Sequence, residues 1–400
     1  MLQTKLKFIS QIAVSLHKCG AASYHIEDAV TGIAGHLCRS GEIFATPTQI
    51  NCSVEDHDGT VESRLIRVYP SGAHLGKLSD FDALADSVLD GTTPVEDGLI
   101  KIKQITDAKD PWWIKTMPIA FSLSSGMFCT LFGGRLAEAL FSALLGLGVF
   151  GLFTIEEKLR LGPLIEFLGA FLVTVFAHLL VYAVPDLMAD KVVLGSLIVL
   201  VPGLSITVAL AEISIKHLMS GTARLMGAFM ELLKLSLGVF LGTAFFNRFF
   251  APETVAALPE APLLPVWFVL VVASVCFSIL FKVKPRDMPY VTLVTFAGFY
   301  GTQLGTKALG NELGVFVGGA LLSASSNLFA RILKRPALTT LLPGLLPMVP
   351  GSIGFKSVSF LFAMEVIDSM TSAFSMLVVA MALVAGLSFG HILVHPRRSI

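Results

Sequence analysis

The chain has 400 residues, of which 54% are hydrophobic and 14% charged; its 29 basic and 29 acidic side chains leave no net charge. Soluble chains carry about 25% charged residues, so a fully water-soluble globule is excluded, and the balanced charge offers no basic surface for nucleic acid. The five cysteines (Cys19, Cys38, Cys52, Cys129 and Cys276) show neither C-x-x-C spacing nor a metal-ligand pattern, which argues against a disulfide scaffold and fits a reducing compartment.

Residues 1–110 are polar and mixed, whereas almost everything after Trp112 is apolar. The first twenty residues include Lys5, Lys7, His17 and Lys18 with no long apolar core. No cleavable signal peptide is expected, and residues 1–110 are expected to form a small cytoplasmic α/β domain. Leu6, Ile9, Ile12 (or Ala13) and Leu16 form one helical face that Gly20 ends. Ser23 reads as the N-cap of a second helix with Ile26, Val30, Ile33 and Leu37 on one side; Glu27 lies one position too far for a capping box. Gln49–Val54 and Val61–Val68 read as strands joined by Glu55-Asp56-His57-Asp58-Gly59, and Asp-Gly between alternating runs signals a hairpin. The turn accounts for these acidic residues without a metal. Two more helices are expected near Asp80–Leu89 and Val95–Lys109. His17, His25, Glu27 and Asp28 are acid–base side chains, but no G-x-S-x-G, H-E-x-x-H, P-loop or G-x-G-x-x-G accompanies them. A solvated face of an amphipathic helix explains them, so no catalytic residue, metal or cofactor is assigned.

A membrane span needs about 20 apolar residues. Ten candidates follow, near 116–133, 136–154, 163–184, 191–212, 225–247, 263–282, 288–306, 312–330, 337–355 and 369–393. The ninth is interrupted by Pro343-Gly344, Pro347 and Pro350-Gly351. Two of the spans share a pattern. Leu200-Val201-Pro202-Gly203 and Met348-Val349-Pro350-Gly351 lie 148 residues apart, and the same offset relates Gly238 to Gly386 and Gly242 to Gly390. Proline removes a backbone donor and kinks a helix, so each Val-Pro-Gly reads as a broken helix. The membrane part therefore divides into two five-helix repeats, residues 112–250 and 260–395.

Orientation follows from Lys and Arg in short loops. With the N-terminus inside, the inner side holds Lys158, Arg160, Lys216, Arg224, Lys282, Lys284, Arg286, Arg331, Lys334, Arg335, Arg397 and Arg398; the outer side holds only Arg135, Lys191, Arg248, Lys307 and Lys356, with acidic Glu253 and Glu260. Both termini are then cytoplasmic. The two copies stand five spans apart, an odd number, so the repeats have inverted topology. In transporters with inverted repeats, paired broken helices mark the substrate site near the bilayer midplane. The candidate substrate-binding residues are Pro202, Gly203, Ser205 and Thr207 with Pro350, Gly351 and Ser352. A half-helix N-terminus can face a carboxylate, and the hydroxyls can hold the rest of a zwitterion. Ionisable groups are costly in lipid, which makes His178 and Glu212 the proton-coupling candidates. Glu231 and Lys234 are expected to neutralise one another. Gly301/Gly305 and Gly314/Gly318 read as close helix contacts.

Lys18-Cys19-Gly20-Ala21-Ala22-Ser23-Tyr24-His25-Ile26-Glu27-Asp28, Pro47-Thr48, Leu200-Val201-Pro202-Gly203 and Ser220-Gly221-Thr222-Ala223-Arg224-Leu225 together resemble the threonine/serine exporter family over nearly the whole chain. His25 departs from the Arg of many members, and the small-residue turn has an extra Ala. The resemblance implies a polytopic α-helical protein of the cell inner membrane that exports threonine and serine on the proton gradient. Its implied partners are those amino acids, protons and the lipid bilayer, and a homo-oligomer is compatible with it. Related two-component systems are associated with dicarboxylate (succinate) export, which is the alternative substrate. A membrane-anchored hydrolase acting through residues 1–110 is the enzymatic alternative.

Overall fold

A computed structural model describes residues 2–109, 111–159, 162–184, 187–250 and 264–395. Arg160, Glu253, Glu260, Arg397 and Arg398, used above to assign sidedness, lie outside the described residues.

The chain opens with α1 (Leu2–Lys18) and α2 (Ser23–Leu37), followed by β1 (Ser40–Thr46), β2 (Gln49–Glu55) and β3 (Val61–Arg67), then α3 (Leu75–Leu89) and α4 (Val95–Asp107). The strands form one antiparallel sheet in the order β1-β2-β3, with Ile43 opposite Cys52 and Ser53 opposite Ser63. Strand β1 was not foreseen. Its burial alternates weakly because only Ile43, Ala45 and Thr46 turn inward. The hairpin turn forms as expected: Gly59 takes φ +85°, Asp58 accepts from the Thr60 N–H, and Asp56 accepts from the His57 N–H and from Lys5. Ile9, Ile12 and Leu16 of α1 are wholly buried, as the helical face required, and Ile50, Cys52 and Val54 supply the buried face of β2. Ser23 is the first residue of α2 rather than its cap, and Ala22 before it provides no side-chain cap. The cap comes instead from a membrane helix, as described below.

The apolar part consists of α5 (Pro111–Leu131), α6 (Leu136–Leu159), α7 (Ile165–Ala183), α8 (Ala189–Leu197), α9 (Gly203–Ser214), α10 (Leu218–Phe249), α11 (Val266–Leu280), α12 (Met288–Leu309), α13 (Asn311–Leu333), α14 (Leu338–Leu345), α15 (Gly351–Phe362) and α16 (Val366–Leu393). Among the described residues, five helical segments are long and apolar enough to cross a bilayer: Leu136–Glu156, α7, α10, α13 and α16. The bent pair Leu338–Met348 and Gly351–Phe362, with 42° between its arms, makes a sixth when taken as one span. The molecule is thus a mostly helical, multi-pass membrane protein with a small sheet near its start.

The offset of 148 residues recurs in the backbone. Helices α9 and α15 begin at Gly203 and Gly351, and α10 and α16 begin at Leu218 and Val366. The joints between them place Lys216 at φ +69° and Met364 at φ +63°. Gly238 and Gly242 press on α7 at Phe167, Ala170, Phe171 and Thr174; Gly386 and Gly390 press on α13 at Phe316, Ala320 and Ser323. Gly305 meets Gly314 and Gly301 meets Gly318, so the two remaining small-residue pairs face one another across α12 and α13. In lipid, where no hydrophobic gain drives helices together, such close contact is what holds them.

The N-terminal elements dock on the ends of particular helices. Leu75 and Gly76 donate backbone hydrogen bonds to Phe281 and Lys282 after α11, Lys284 pairs with Asp80, and Arg335 after α13 donates to Ser79 at 3.1 Å. Ser220 at the start of α10 donates to the Ala45 carbonyl of β1 at 3.0 Å.

Candidate functional site

The two Val-Pro-Gly segments meet. Pro202 (φ −78°, ψ 41°) and Pro350 (φ −80°, ψ 27°) have nearly the same backbone, and each immediately precedes the first residue of a half-helix. A proline disfavours helical backbone in the residue before it, and Val349 is accordingly extended (φ −70°, ψ 141°). A Cβ on Gly203 would lie 2.8 Å from Val349 Cγ2 and 3.0 Å from Gly351 Cα; one on Gly351 would lie 2.8 Å from Gly203 Cα. Only hydrogen fits on both sides of this contact, which is why both positions are glycine. Neither half-helix has a side-chain cap. Two N-termini without side-chain caps, each the positive end of a helix dipole, converge on one point, with the Gly203 N–H donating to the Val201 carbonyl at 2.8 Å.

A cavity of about 720 Å³ opens at this point, within the size range of small-molecule sites. Val201, Gly203, Val349, Gly351 and Ser352 line it from the two breaks, and Phe121, Phe128, Phe150, Phe153, Phe277 and Phe281 form aromatic walls. Lys18, Ser71, His74 and Lys282 stand around it where the N-terminal elements touch the membrane helices. Such a chamber suits a small solute with an anionic end: helix N-termini and ammonium groups attract the charge while the aromatic walls exclude water.

Of the residues selected from sequence, Gly203, Gly351 and Ser352 line this chamber, whereas Pro202 and Pro350, each just before its glycine, line neither cavity. Ser205 and Thr207 lie further along α9, where they line an adjoining cavity of about 260 Å³; Thr207 directs its hydroxyl to the Gly203 carbonyl of its own helix at 3.1 Å. Glu212 is fully buried at the far end of α9. Its Oε2 accepts from Arg224 Nε at 3.1 Å, and its Oε1 accepts from the backbone N–H of Ser23 at 3.0 Å. A carboxylate carried by a membrane helix thus caps the N-terminus of α2. His178 lines neither cavity; its ring stacks on Phe246, and its Nε2 lies 3.4 Å from Thr243 Oγ1. Lys234 pairs with Glu166 on α7 at 3.3 Å. Among the described residues, no ion pair within 4 Å joins Lys234 to Glu231, the neighbour expected from spacing.

Several contributors escaped the sequence. Arg224 stood in the sequence as a loop charge and part of a family motif, not as a partner of Glu212, because nothing in a string brings residue 224 back onto 212; the left-handed Lys216 lies in the joint that does so. His217 lies 3.3 Å from Glu27, whose carboxyl is raised by burial, an effect opposed by the Ala45 N–H and by His217. Burial lowers His17, although its bond to the Pro47 carbonyl works the other way, and burial pushes His25 down to about 4. Burial raises Asp287 against the pull of Arg335 and Arg286.

A family model described as a threonine/serine exporter matches residues 7–246, and a second, described as Threonine/Serine exporter, matches residues 266–393. Curated relatives are yeast proteins named pheromone-regulated membrane protein 10. The one from Kluyveromyces lactis is 26% identical over 405 aligned positions, covering 97% of this chain and 42% of the relative. That from Debaryomyces hansenii is 23% identical, covering 92% and 38%. That from Saccharomyces cerevisiae strain S288c is 25% identical, covering 74% and 80%. The chain spans about two fifths of the length of the first two. No solved structure matches.

Proposed function

This chain belongs to the threonine/serine exporter family, and on that premise we propose that it is a secondary transporter that exports threonine and serine from the cytoplasm, driven by the proton gradient. The observation that carries the reading is the meeting of two uncapped half-helix N-termini, at Gly203 and Gly351, on a chamber of about 720 Å³. Gly203, Gly351 and Ser352 hold the substrate carboxylate where Pro202 and Pro350 break the helices, Ser205 and Thr207 line its route, and Glu212 and His178 carry the coupled proton. No catalytic step is assigned to residues 1–110, which serve as a cytoplasmic domain.

The architecture proposed with it is ten spans in two inverted halves, 112–250 and 260–395. The matched order α5–α10 and α11–α16 supports the duplication, with α8/α9 and α14/α15 each read as one broken span. The docking contacts support the inversion. In the first half, α9 ends and α10 begins beside the N-terminal elements; in the second, α11 and α13 end beside them. Both termini then face the cytoplasm, in the inner membrane. A second reading, succinate export, is favoured by one observation: Lys18 and Lys282 both line the chamber, and two ammonium groups suit a dianion.

The deciding measurement is efflux from cells preloaded with a threonine-containing dipeptide, with succinate followed in the same samples. Faster threonine loss that collapses with a protonophore is expected. Glu212→Gln is expected to abolish the coupled efflux at unchanged protein level. Succinate loss instead replaces the substrate, and no flux of either refutes the reading.

A further inference from the structure

The adjoining cavity of about 260 Å³ lies between the N-terminal elements and α9, and it shares Ser71, Ala73 and Phe281 with the larger chamber. His17, His25, Ser205 and Arg224 all line it. Two of these residues each carry a buried polar atom without a hydrogen-bond partner: Nδ1 of His17 and Nε2 of His25. Buried polar atoms normally find partners, so such orphans mark either unfavourable energy or a place for a ligand.

Their chemistry specifies the ligand. His17 Nε2 is 3.1 Å from the Pro47 carbonyl, which can only accept, so that nitrogen carries the proton. In the neutral ring Nδ1 is then a lone pair, and it requires a donor. On the other side, Arg224 uses Nε and Nη2 for Glu212, and among the described residues no hydrogen bond occupies Nη1. That nitrogen is open to an acceptor, on a side chain that is 26% exposed. His25 Nε2 suits a hydroxyl in either tautomer, because a hydroxyl both donates and accepts. Glu212 already neutralises Arg224, so a ligand without net charge adds no unbalanced charge to the site, whereas a dianion would sit close to the buried Glu212 carboxylate.

We infer that this cavity is a second binding site, on the cytoplasmic side of the chamber, for a small zwitterionic hydroxy-amino acid. Its ammonium donates to His17 Nδ1, its carboxylate accepts from Arg224 Nη1, and its hydroxyl meets His25 Nε2 or Ser205. The solute entering the chamber is selected here first, by groups from both parts of the chain. The inference rests on the exporter reading above and adds a site to it.

The test is equilibrium binding of radiolabelled threonine, and separately succinate, to the full-length protein in nanodiscs. His17→Gln keeps an N–H donor toward the Pro47 carbonyl but has no acceptor at the position of Nδ1, its amide oxygen pointing elsewhere, and Ser205→Ala removes one hydroxyl. The wild type is expected to bind two threonines per chain. His17→Gln is expected to weaken one of them about tenfold, the loss of one hydrogen bond, with an unchanged melting temperature. A wild type that binds one threonine, or a His17→Gln isotherm identical to wild type in a protein that still transports threonine, overturns the second site and leaves the exporter reading intact. Succinate binding that His17→Gln weakens overturns the zwitterion assignment. A wild type that neither binds nor moves threonine or serine overturns both readings.

Discussion

Replacing Gly203 by alanine tests whether the contact between the two breaks matters to the working molecule. The added Cβ would lie 2.8–3.1 Å from Val349 Cγ2 and from the Gly351 backbone, against 3.4–4 Å for ordinary contact. Backbone cannot rotate aside as a side chain can, so the two breaks must separate by roughly 0.5–1 Å. Overpacking of this kind costs about 1–3 kcal/mol. Gly351→Ala meets the mirror image of the same contact, 2.8 Å from Gly203 Cα and 3.1 Å from its nitrogen. Either substitution opens the gap that the other needs. The double variant is therefore expected to cost less than the sum of the singles, by about 1 kcal/mol. Gly148→Ala on α6 is the control, since nothing lies within 4 Å of its Cβ position, and there alanine only favours helix. The assay is threonine counterflow in proteoliposomes beside thermal unfolding of the same preparations. Wild-type flux in both single variants, or strictly additive destabilisation in the double, would refute the reasoning.

Three further outcomes follow from the ionisable groups. Arg224→Ala strands the buried Glu212 carboxylate and is expected to cost about 3–5 kcal/mol, most of it recovered in the Arg224→Ala/Glu212→Gln double variant; thermal unfolding reads both. Lys234 is expected to couple to Glu166 by about 0.5–1 kcal/mol in a double-mutant cycle and more weakly to Glu231, because the 3.3 Å contact is with Glu166. His25, held down to about 4, binds fewer protons folded than unfolded between that value and its ordinary 6.5. Its contribution is thus fully present above pH 6.5 and is lost as pH falls toward 4, about 2 kcal/mol of it between pH 7 and pH 5. His25→Gln is expected to flatten the pH dependence of the melting temperature by that amount.

The parts of the fold legible in the sequence are those that depend on local backbone chemistry. Asp58-Gly59 forced a turn, Ile9, Ile12 and Leu16 fixed the buried face of α1, and Pro202 and Pro350 marked two helix starts whose dihedral angles agree to within 14°. What was not legible depends on partners distant in the chain. Ser23 looked like its own helix's cap, and the cap came from Glu212, 189 positions away. Lys234 had two acidic groups in reach, and spacing alone favoured the nearer in sequence over Glu166, 68 positions away. The orphaned nitrogens of His17 and His25 belong to residues at a cavity walled by α9, α14 and α16, and on an amphipathic helix those residues look like solvated polarity.

Helix α9 carries the break at one end and the hold on the N-terminal elements at the other. Glu212 stands nine positions after Gly203, about 14 Å along a rigid helix. A tilt of about 10° at Pro202 moves Glu212 by roughly 2.4 Å, enough to break its 3.0 Å bond with Ser23 unless α2 moves too. Breaking it would leave a buried carboxylate short of a donor and α2 without its cap, so the favoured motion carries both together. Rocking of the half-helices and movement of residues 1–109 are then one event. A disulfide between Ala45→Cys and Ser220→Cys, where β1 meets α10 through a 3.0 Å hydrogen bond, ties those elements to the membrane helices. Flux is expected to be lost on oxidation and recovered with dithiothreitol. Flux indifferent to oxidation, with the cross-link verified by mass spectrometry, would make the N-terminal elements a passive cover and uncouple them from the break.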